Sequence, residues 1–350
     1  MTRYTLWGLK LAFTLTILGA IAWKLDFHAI AKAFSALAPA AILAAFVVIV
    51  LQAVFTGLRL ALIVSTFEHS ISAPHAIRIS IESIFFGQTF VSFLGSDALR
   101  VWRVRKSGLD LEKAGAAVAL DRVTGIIVNH VLLLASLPWL FARIDNDAVR
   151  LILALLAFAG VAGTVTVLLF GYFRHHVLRI AGRITGHRAA KIAGFIAQAV
   201  TAGQHLLRPH PRLWLAAGVS LLSALCNSLV FFVLFLGWHV DTTSALLAAL
   251  LVPAVLEIAM LPISIGGWGV REGAAIIAFG TVGVPLAVAF GASVAFALLS
   301  LALGLIGGAA WLFGRRPDMP QDETPLAPAE PCEVSAKRLQ TGVPERNLRA

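Results

Sequence analysis

The sequence predicts an all-α polytopic membrane protein. Of its 350 residues, 59% are hydrophobic and 13% are charged, whereas a soluble globular domain carries roughly 25% charged residues. The mean hydropathy is +0.88. Apolar windows long enough for an α-helix to cross a bilayer, about 20 residues, recur along the chain. These observations exclude a soluble fold.

Six of the apolar windows predict helices that cross the membrane in full. They cover residues 5–23, 37–64, 114–142, 151–173, 213–237 and 285–313. Two further windows, 76–95 and 244–282, are broken by glycine, proline and charge, which predicts re-entrant or broken helical hairpins. The first window also resembles a signal peptide with Arg3 as its basic flank, but Lys10 interrupts it and further spans follow. We therefore expect a retained helix.

The distribution of Lys and Arg predicts the orientation of these segments. Residues up to 314 hold 22 Lys and Arg against 12 Asp and Glu, and the tail holds 6 of each. The net charge of +10 therefore comes from the loops between membrane segments. It indicates their orientation in the membrane and not a nucleic-acid partner. Loops 100–113 and 174–191 are rich in basic residues, whereas loop 142–150 is balanced and loop 237–244 has no Lys or Arg. We expect a bacterial inner-membrane protein with both termini in the cytoplasm and broken segments that enter from opposite faces.

This layout predicts an inverted repeat. Residues 5–142 and 151–313 each contain two crossings, one broken hairpin and a third crossing, in opposite directions. Residues 95–100 and 266–271 begin with Gly and end with Arg at identical spacing, which favours the same relationship.

Outside the repeat halves, the sequence predicts two other kinds of segment. Residues 1–314 are expected to form one flippase-like membrane domain. Within it, residues 174–212 interleave basic and apolar residues, which predicts an amphipathic cytoplasmic connector. Residues 315–350 contain many prolines and balanced charge, a composition typical of a disordered tail.

Charged residues inside the apolar segments are the candidate functional residues, because each costs about 2.5–3.5 kcal/mol at a helix centre without a partner or a wet cavity. Arg100 and Arg271 follow glycine-bearing breaks, where a guanidinium and free N–H groups suit a phosphate or another anion. We expect a substrate-binding site formed by Arg100, Arg271, Glu272, Asp97, Gly95, Gly266 and Gly267. We expect gating or structural ion pairs from Asp121, Arg122, Glu257 and Arg59. A structural pair of Arg271 with Glu272 or Glu257 is the alternative for that residue.

Signatures of catalysis and of metal binding are scarce. The chain has no H-E-x-x-H, G-x-x-x-x-G-K-[ST], G-x-S-x-G or C-x-x-C motif, and its two cysteines, Cys226 and Cys332, do not make a metal cage. We expect no metal and no cofactor. A membrane-embedded transferase that uses Asp97 or Glu257 as a base stays open as an alternative.

The motifs resemble the flippase-like transmembrane region of the lysylphosphatidylglycerol synthases, also called the multiple peptide resistance factor family. Three stretches carry the resemblance, which covers about residues 5–313: Gly95-Ser-Asp-Ala-Leu-Arg100, Asp121-Arg122, and Leu261-Pro-Ile-Ser-Ile-Gly-Gly-Trp-Gly-Val-Arg-Glu-Gly273. The family more often shows Glu-Arg where this chain has Asp121-Arg122. The resemblance implies inverted halves with re-entrant helices, and movement of a phospholipid, an aminoacylated lipid or a lipid-linked glycan between leaflets.

The leading hypothesis is therefore a lipid flippase-like transporter, whose partners are membrane lipids with anionic or lipid-linked headgroups. The 36 residues after Gly314 are too few for the synthases' soluble aminoacyl-transferase domain, so we do not expect a synthase. The alternatives are a transferase acting on a lipid-linked substrate, and a non-catalytic partner of a separate lipid synthase or glycosyltransferase. The sequence leaves a homo-oligomer open.

Overall fold

A computed structural model gives the fold of the protein. It describes residues 35–89, 93–177, 197, 199–208, 210–261, 264 and 267–313. Within these ranges the regular structure is helical and contains no β-strand, so the predicted all-α class is confirmed. Four predicted features lie outside the described residues, wholly or in their larger part: the first crossing at 5–23, Gly266, the connector between 178 and 196, and the tail at 315–350.

Nine helices organise the described residues. They are α1 (Pro39–Val64), α2 (Ala73–Thr89), α3 (Phe93–Lys106), α4 (Leu111–Phe141), α5 (Asp147–Tyr172), α6 (Pro211–Gly237), α7 (Thr242–Ala259), α8 (Val270–Gly280) and α9 (Leu286–Phe313). Proline occupies the first position of α1 and of α6. An N–H at that position makes no hydrogen bond within the helix, so its absence in proline costs nothing there. Asp241 caps α7 by accepting the N–H of Ser244 at 2.9 Å, as Asp favours at a helix start.

Six of these helices are long and apolar enough to cross a bilayer: α1 with its short 3-10 extension, α4, α5, α6, α7 and α9. Their outer faces carry large exposed apolar side chains such as Leu43, Phe158 and Leu305, as lipid contact requires. Helix α7 departs from the sequence analysis, which placed it inside a broken segment. Its 18 residues rise about 27 Å, because the glycines of that segment all follow Ala259 and the helix accommodates Pro253 internally.

Helices α1 and α6 form a long antiparallel pair. At one end, the N–H of Ala38 donates to the carbonyl oxygen of Gly237 at 3.1 Å. At the other end, Arg212 Nη1 donates to the carbonyl oxygen of Ser65 at 2.8 Å. The N-terminal end of each helix therefore lies beside the C-terminal end of the other.

Helices α2 and α3 form the first hairpin, residues 73–106. Arg100 Nε donates to Ser83 Oγ at 3.0 Å, and Arg103 Nη2 lies 2.6 Å from Glu82 Oε2, so the two helices run antiparallel. With 17 and 14 residues they extend about 25 and 21 Å, less than the roughly 30 Å of a bilayer core. Neither is among the helices long enough to cross.

Helices α7 and α8 form the second hairpin, residues 242–280. Gly283 lies against Ser244 at its open end, and Gly267 lies against Ala259 at its tip. Gly267 and Gly269 have φ of +79° and +82°, a left-handed conformation that glycine adopts without strain. The first hairpin starts beyond the Val64 end of α1 and the second beyond the Gly237 end of α6, so the two hairpins start at opposite ends of the α1–α6 pair.

Helix α9 contacts both hairpins. Near its start, Ser293 Oγ accepts a hydrogen bond from Arg271 Nε of α8 at 3.0 Å. Further along, Gly304, Gly307 and Gly308 lie directly against the Ile81–Phe85 segment of α2, where the absence of a side chain lets two backbones approach closely. The helix thereby connects the two hairpins along its length.

Candidate functional site: a polar cavity inside the helical bundle

A cavity of about 280 Å³ lies between α1, α3, α4, α6 and α7. Its polar lining includes Thr56, Arg59, Arg100, Asp121, Asn129 and Ser223. Ser96, near the tip of the first hairpin, and Met260, at the tip of the second, also line it. The cavity therefore lies where both hairpins end inside the bundle.

Asp121 is the centre of the charged lining. Its side chain is 0% exposed, and it accepts from Arg59 Nε at 2.7 Å, from Arg59 Nη2 at 3.0 Å and from Arg100 Nη1 at 3.0 Å. The bond pair from Arg59 has the bidentate geometry that a guanidinium and a carboxylate prefer. One carboxylate of α4 thus joins α1 to the first hairpin.

Three small residues hold the two arginines in place. Ser83 Oγ accepts from Arg100 Nε at 3.0 Å, and Ser220 Oγ accepts from Arg59 Nη1 at 3.4 Å. A Cβ at Gly125 would lie 2.7 Å from Arg59 Nη1, so glycine provides the space for the guanidinium beside α4. The sequence analysis missed all three. A detectable signal existed in α6, where Ser220 and Ser223 lie three positions apart on one face of an apolar helix.

Arg122 and Asp97 form a more exposed ion pair beside the buried cluster. Arg122 Nη2 donates to Asp97 Oδ1 at 2.6 Å, and the side chains are 31% and 27% exposed. Arg59, Arg100 and Arg122 bring three positive charges, and Asp121 and Asp97 bring two negative charges. Before Glu257 is counted, these five side chains therefore hold one positive charge in excess, and the Arg122–Asp97 pair is the more exposed part of the group.

Glu257 lies next to the cavity, at the last turn of α7. Asn129 Nδ2, from the cavity lining, donates to Glu257 Oε1 at 2.8 Å. His130 Nδ1 lies 3.3 Å from the same oxygen. The other oxygen, Oε2, is buried and has no hydrogen-bond partner among the described residues. Asn129 and His130 were not among the predicted site residues.

Arg271 and Glu272 lie away from the cavity, at the start of α8. Arg271 Nη2 donates to Glu272 Oε1 at 2.7 Å, and Ser293 Oγ donates to the same oxygen at 3.1 Å. Glu272 Oε2 accepts the N–H of Gly269 at 2.6 Å. Both side chains are buried, so this cluster has no unpaired charge to offer a ligand and secures the turn into α8.

The structure thus divides the predicted substrate-binding residues. It brings Arg100 and Asp97 together with the predicted ion-pair residues Arg59, Asp121 and Arg122 around the cavity. Asp97 pairs with Arg122, which lines the cavity, but does not line it itself. Gly95, in the first turn of α3, and Gly267, in the turn before α8, do not line it either. Among the described residues, no three His, Cys, Asp or Glu side chains are grouped closely enough to hold a metal ion.

The helices and their apolar outer faces define the class: an all-α, multi-pass membrane protein. Within that class, the chain belongs to the family described as the lysylphosphatidylglycerol synthase TM region, which matches residues 7–308. The resemblance seen in the sequence motifs is confirmed. A comparison with curated proteins finds no match.

Proposed function

We propose that the protein moves phosphate-bearing lipids between the two leaflets of the membrane, with the polar cavity as the headgroup site. The observation that carries this proposal is that three guanidinium groups, those of Arg59, Arg100 and Arg122, line a cavity inside a membrane-spanning bundle. Asp121 and Asp97 neutralise two of these three charges, and a phosphodiester with one negative charge neutralises the third when Glu257, beside the cavity, is protonated. Membership of a family related to lipid modification or flipping supports the same function.

The size of the cavity fits a headgroup and not a whole lipid. Ligand pockets for drug-sized molecules measure roughly 300–1,000 Å³, and this cavity, at about 280 Å³, lies just below that range. The acyl chains of a bound lipid would stay in the bilayer while its phosphate meets Arg59 and Arg100. Guanidinium groups suit this role, because their planar N–H donors match phosphate oxygens.

The arrangement of the hairpins supports access from both faces. Their open ends lie at opposite ends of the α1–α6 pair, and their tips meet at the cavity. In the proposed mechanism the hairpins are re-entrant and turn at the cavity, even though α7 has the length of a crossing helix. The halves 5–142 and 151–313 are inverted repeats, and rocking of one half against the other exposes the headgroup site to each leaflet in turn. The proposal places the protein in the bacterial inner membrane, with both termini in the cytoplasm.

The occupied carboxylates favour binding over catalysis at this cavity. Asp121 and Asp97 are both engaged by guanidinium groups, so neither is free to accept a proton from a substrate. A membrane-embedded transferase that uses Asp97 as its base is therefore disfavoured, because it needs an available base. Glu257 is the remaining candidate base for that alternative.

Replacing Arg100 tests whether the cavity binds the headgroup. Arg100→Gln removes one of the three positive charges of the cavity but leaves both bonds between Arg59 and Asp121 in place. Loss of a hydrogen bond to a charged group costs about 1.5–3 kcal/mol, so we expect lipid movement to slow by about tenfold or more. The assay is dithionite quenching of a fluorescent phosphatidylglycerol in proteoliposomes. The matched control is Arg105→Gln, an exposed arginine on the same helix.

Two results would overturn the proposal. One is lipid movement by the wild-type protein no faster than in protein-free vesicles. The other is an Arg100→Gln variant that moves lipid as fast as the Arg105→Gln control.

A further inference from the structure

Glu257 combines burial with an unused acceptor, and the headgroup site does not require it. Its side chain is 8% exposed, and Oε2 has no hydrogen-bond partner among the described residues. An unpaired buried carboxylate oxygen is costly in a membrane protein. A proton bound at that oxygen would lower the cost by neutralising the group.

His130 is the titratable side chain that faces this carboxylate. Its Nδ1 lies 2.9 Å from the carbonyl oxygen of Ile126 and 3.3 Å from Glu257 Oε1. Because both neighbours are oxygen acceptors, Nδ1 carries a hydrogen. The ring packs directly against Gly160 of α5. Glu257 and His130 together therefore offer two places for a proton in one buried contact.

Among the residues that the structure describes, no Lys or Arg side chain makes an ion pair or a hydrogen bond with Glu257. From α4, Glu257 receives the uncharged amide of Asn129 in addition to His130. The described side chains of α5, α6 and α8 make no hydrogen bond or ion pair with it. The arginines of the cavity, which lie on α1, α3 and α4, have their guanidinium groups on Asp121 and Asp97.

Asn129 links the pair to the cavity. Its side chain lines the cavity and donates both to Glu257 Oε1 and to the carbonyl oxygen of Pro253, at 2.8 and 3.2 Å. A change in the charge of Glu257 alters the acceptor that holds this amide. The headgroup site and the carboxylate thus share one side chain.

The charges around the cavity indicate how many protons accompany one bound headgroup. With Glu257 ionised and His130 neutral, the three arginines around the cavity are balanced by three carboxylates. A phosphodiester adds one negative charge, and one proton on Glu257 or His130 restores neutrality. Buried net charge is unfavourable in a low-dielectric site, so the headgroup and the proton stabilise each other's binding.

We propose that Glu257 and His130 form a proton-binding site that takes up one proton with each phosphate-bearing lipid, so that the lipid and the proton cross together without net charge movement. This inference rests on the proposed lipid movement and adds its energy source. A pH difference then drives lipid from the acidic side to the alkaline side.

The experiment uses the full chain in proteoliposomes with fluorescent phosphatidylglycerol and an imposed pH difference of about one unit. One proton per lipid predicts about a tenfold excess of the labelled lipid in the alkaline leaflet at steady state, because one pH unit is a factor of ten in proton activity. A membrane potential set with potassium and valinomycin leaves this ratio unchanged. Glu257→Gln abolishes the excess and makes the distribution depend on the potential. Glu112→Gln, an exposed carboxylate on α4, keeps the tenfold excess.

The outcomes separate the two proposals. If the wild-type protein moves lipid but the leaflet ratio stays at one under the pH difference, proton coupling is wrong and lipid movement stands. The same holds if Glu257→Gln reaches the wild-type ratio. If the wild-type protein moves no lipid, both proposals fail. The wild-type leaflet ratio alone tests proton coupling, so the test does not depend on correct folding of Glu257→Gln. His130→Gln is an independent second variant.

Discussion

Replacing Asp121 by Asn tests whether the buried cluster holds the bundle together. Asp121 is 0% exposed and is the shared partner of Arg59 and Arg100. An asparagine side chain has one acceptor oxygen and no charge, so both guanidinium groups lose their counter-ion. Breaking a buried ion pair from one side costs about 3–5 kcal/mol. The matched change Asp97→Asn breaks a partly exposed pair, for which about 0–1 kcal/mol is typical.

The free energies of unfolding of these two variants are therefore expected to differ by about 2 kcal/mol or more, about thirtyfold in the unfolding equilibrium. Titration with SDS in mixed micelles, followed by tryptophan fluorescence, measures this difference. Equal losses of stability in the two variants would refute the reasoning, because they would show that burial of the Asp121 cluster adds nothing to its strength.

Three further predictions concern stability elsewhere. Gly307→Ala should destabilise the protein by about 1–3 kcal/mol, since the new Cβ meets the carbonyl oxygen of Ile81. Gly163→Ala, whose Cβ has nothing within 4 Å, should not destabilise it. Thermal denaturation in detergent compares the two variants, and similar losses of stability would contradict the close packing at Gly307. Glu272→Gln breaks the buried pair with Arg271 and should cost about 3–5 kcal/mol through the start of α8. The loss should be seen as faster amide exchange there, and unchanged exchange would count against this role. Burial, aided by nearby Arg208, lowers the pKa of His205, so the unfolded chain binds more protons and stability should fall as pH drops through about 6.5 and below, towards the lower pKa of the folded state. His205→Gln should flatten that slope, and an unaltered slope would exclude His205 as its cause.

Much of the fold could be predicted because a membrane-spanning helix is recognisable from its own stretch of sequence. The windows at 37–64 and 213–237 agree closely with α1 and α6, since length and hydropathy alone define a crossing. Helix α7 shows the limit of that rule. Because of its glycines, the whole window 244–282 was predicted to be broken. Those glycines affect only the residues that follow Ala259, so the helix before them is unbroken.

The candidate site was predicted less completely, because partners distant in sequence decide the role of each charge. Arg100 and Arg271 occupy equivalent positions in their motifs, and from the sequence both were expected to bind substrate, with a structural pair to Glu272 or Glu257 as the alternative for Arg271. The next residue separates them: Glu272 follows Arg271 and neutralises it, whereas Val101 follows Arg100, which reaches Asp121 instead. The contact of Asn129 with Glu257 joins positions 128 apart, and no local pattern indicates it.

The pairing of Arg59 with Asp121 has a consequence for biogenesis. The two residues are 62 positions apart, so α1 is synthesised and enters the bilayer well before α4 brings the counter-ion. During that interval Arg59 costs about 2.5–3.5 kcal/mol at membrane depth. The fifteen Leu, Ile, Val and Phe residues of α1 contribute about 4–9 kcal/mol in favour of insertion. The aliphatic richness of α1 therefore keeps a charged helix in the membrane until its partner is made.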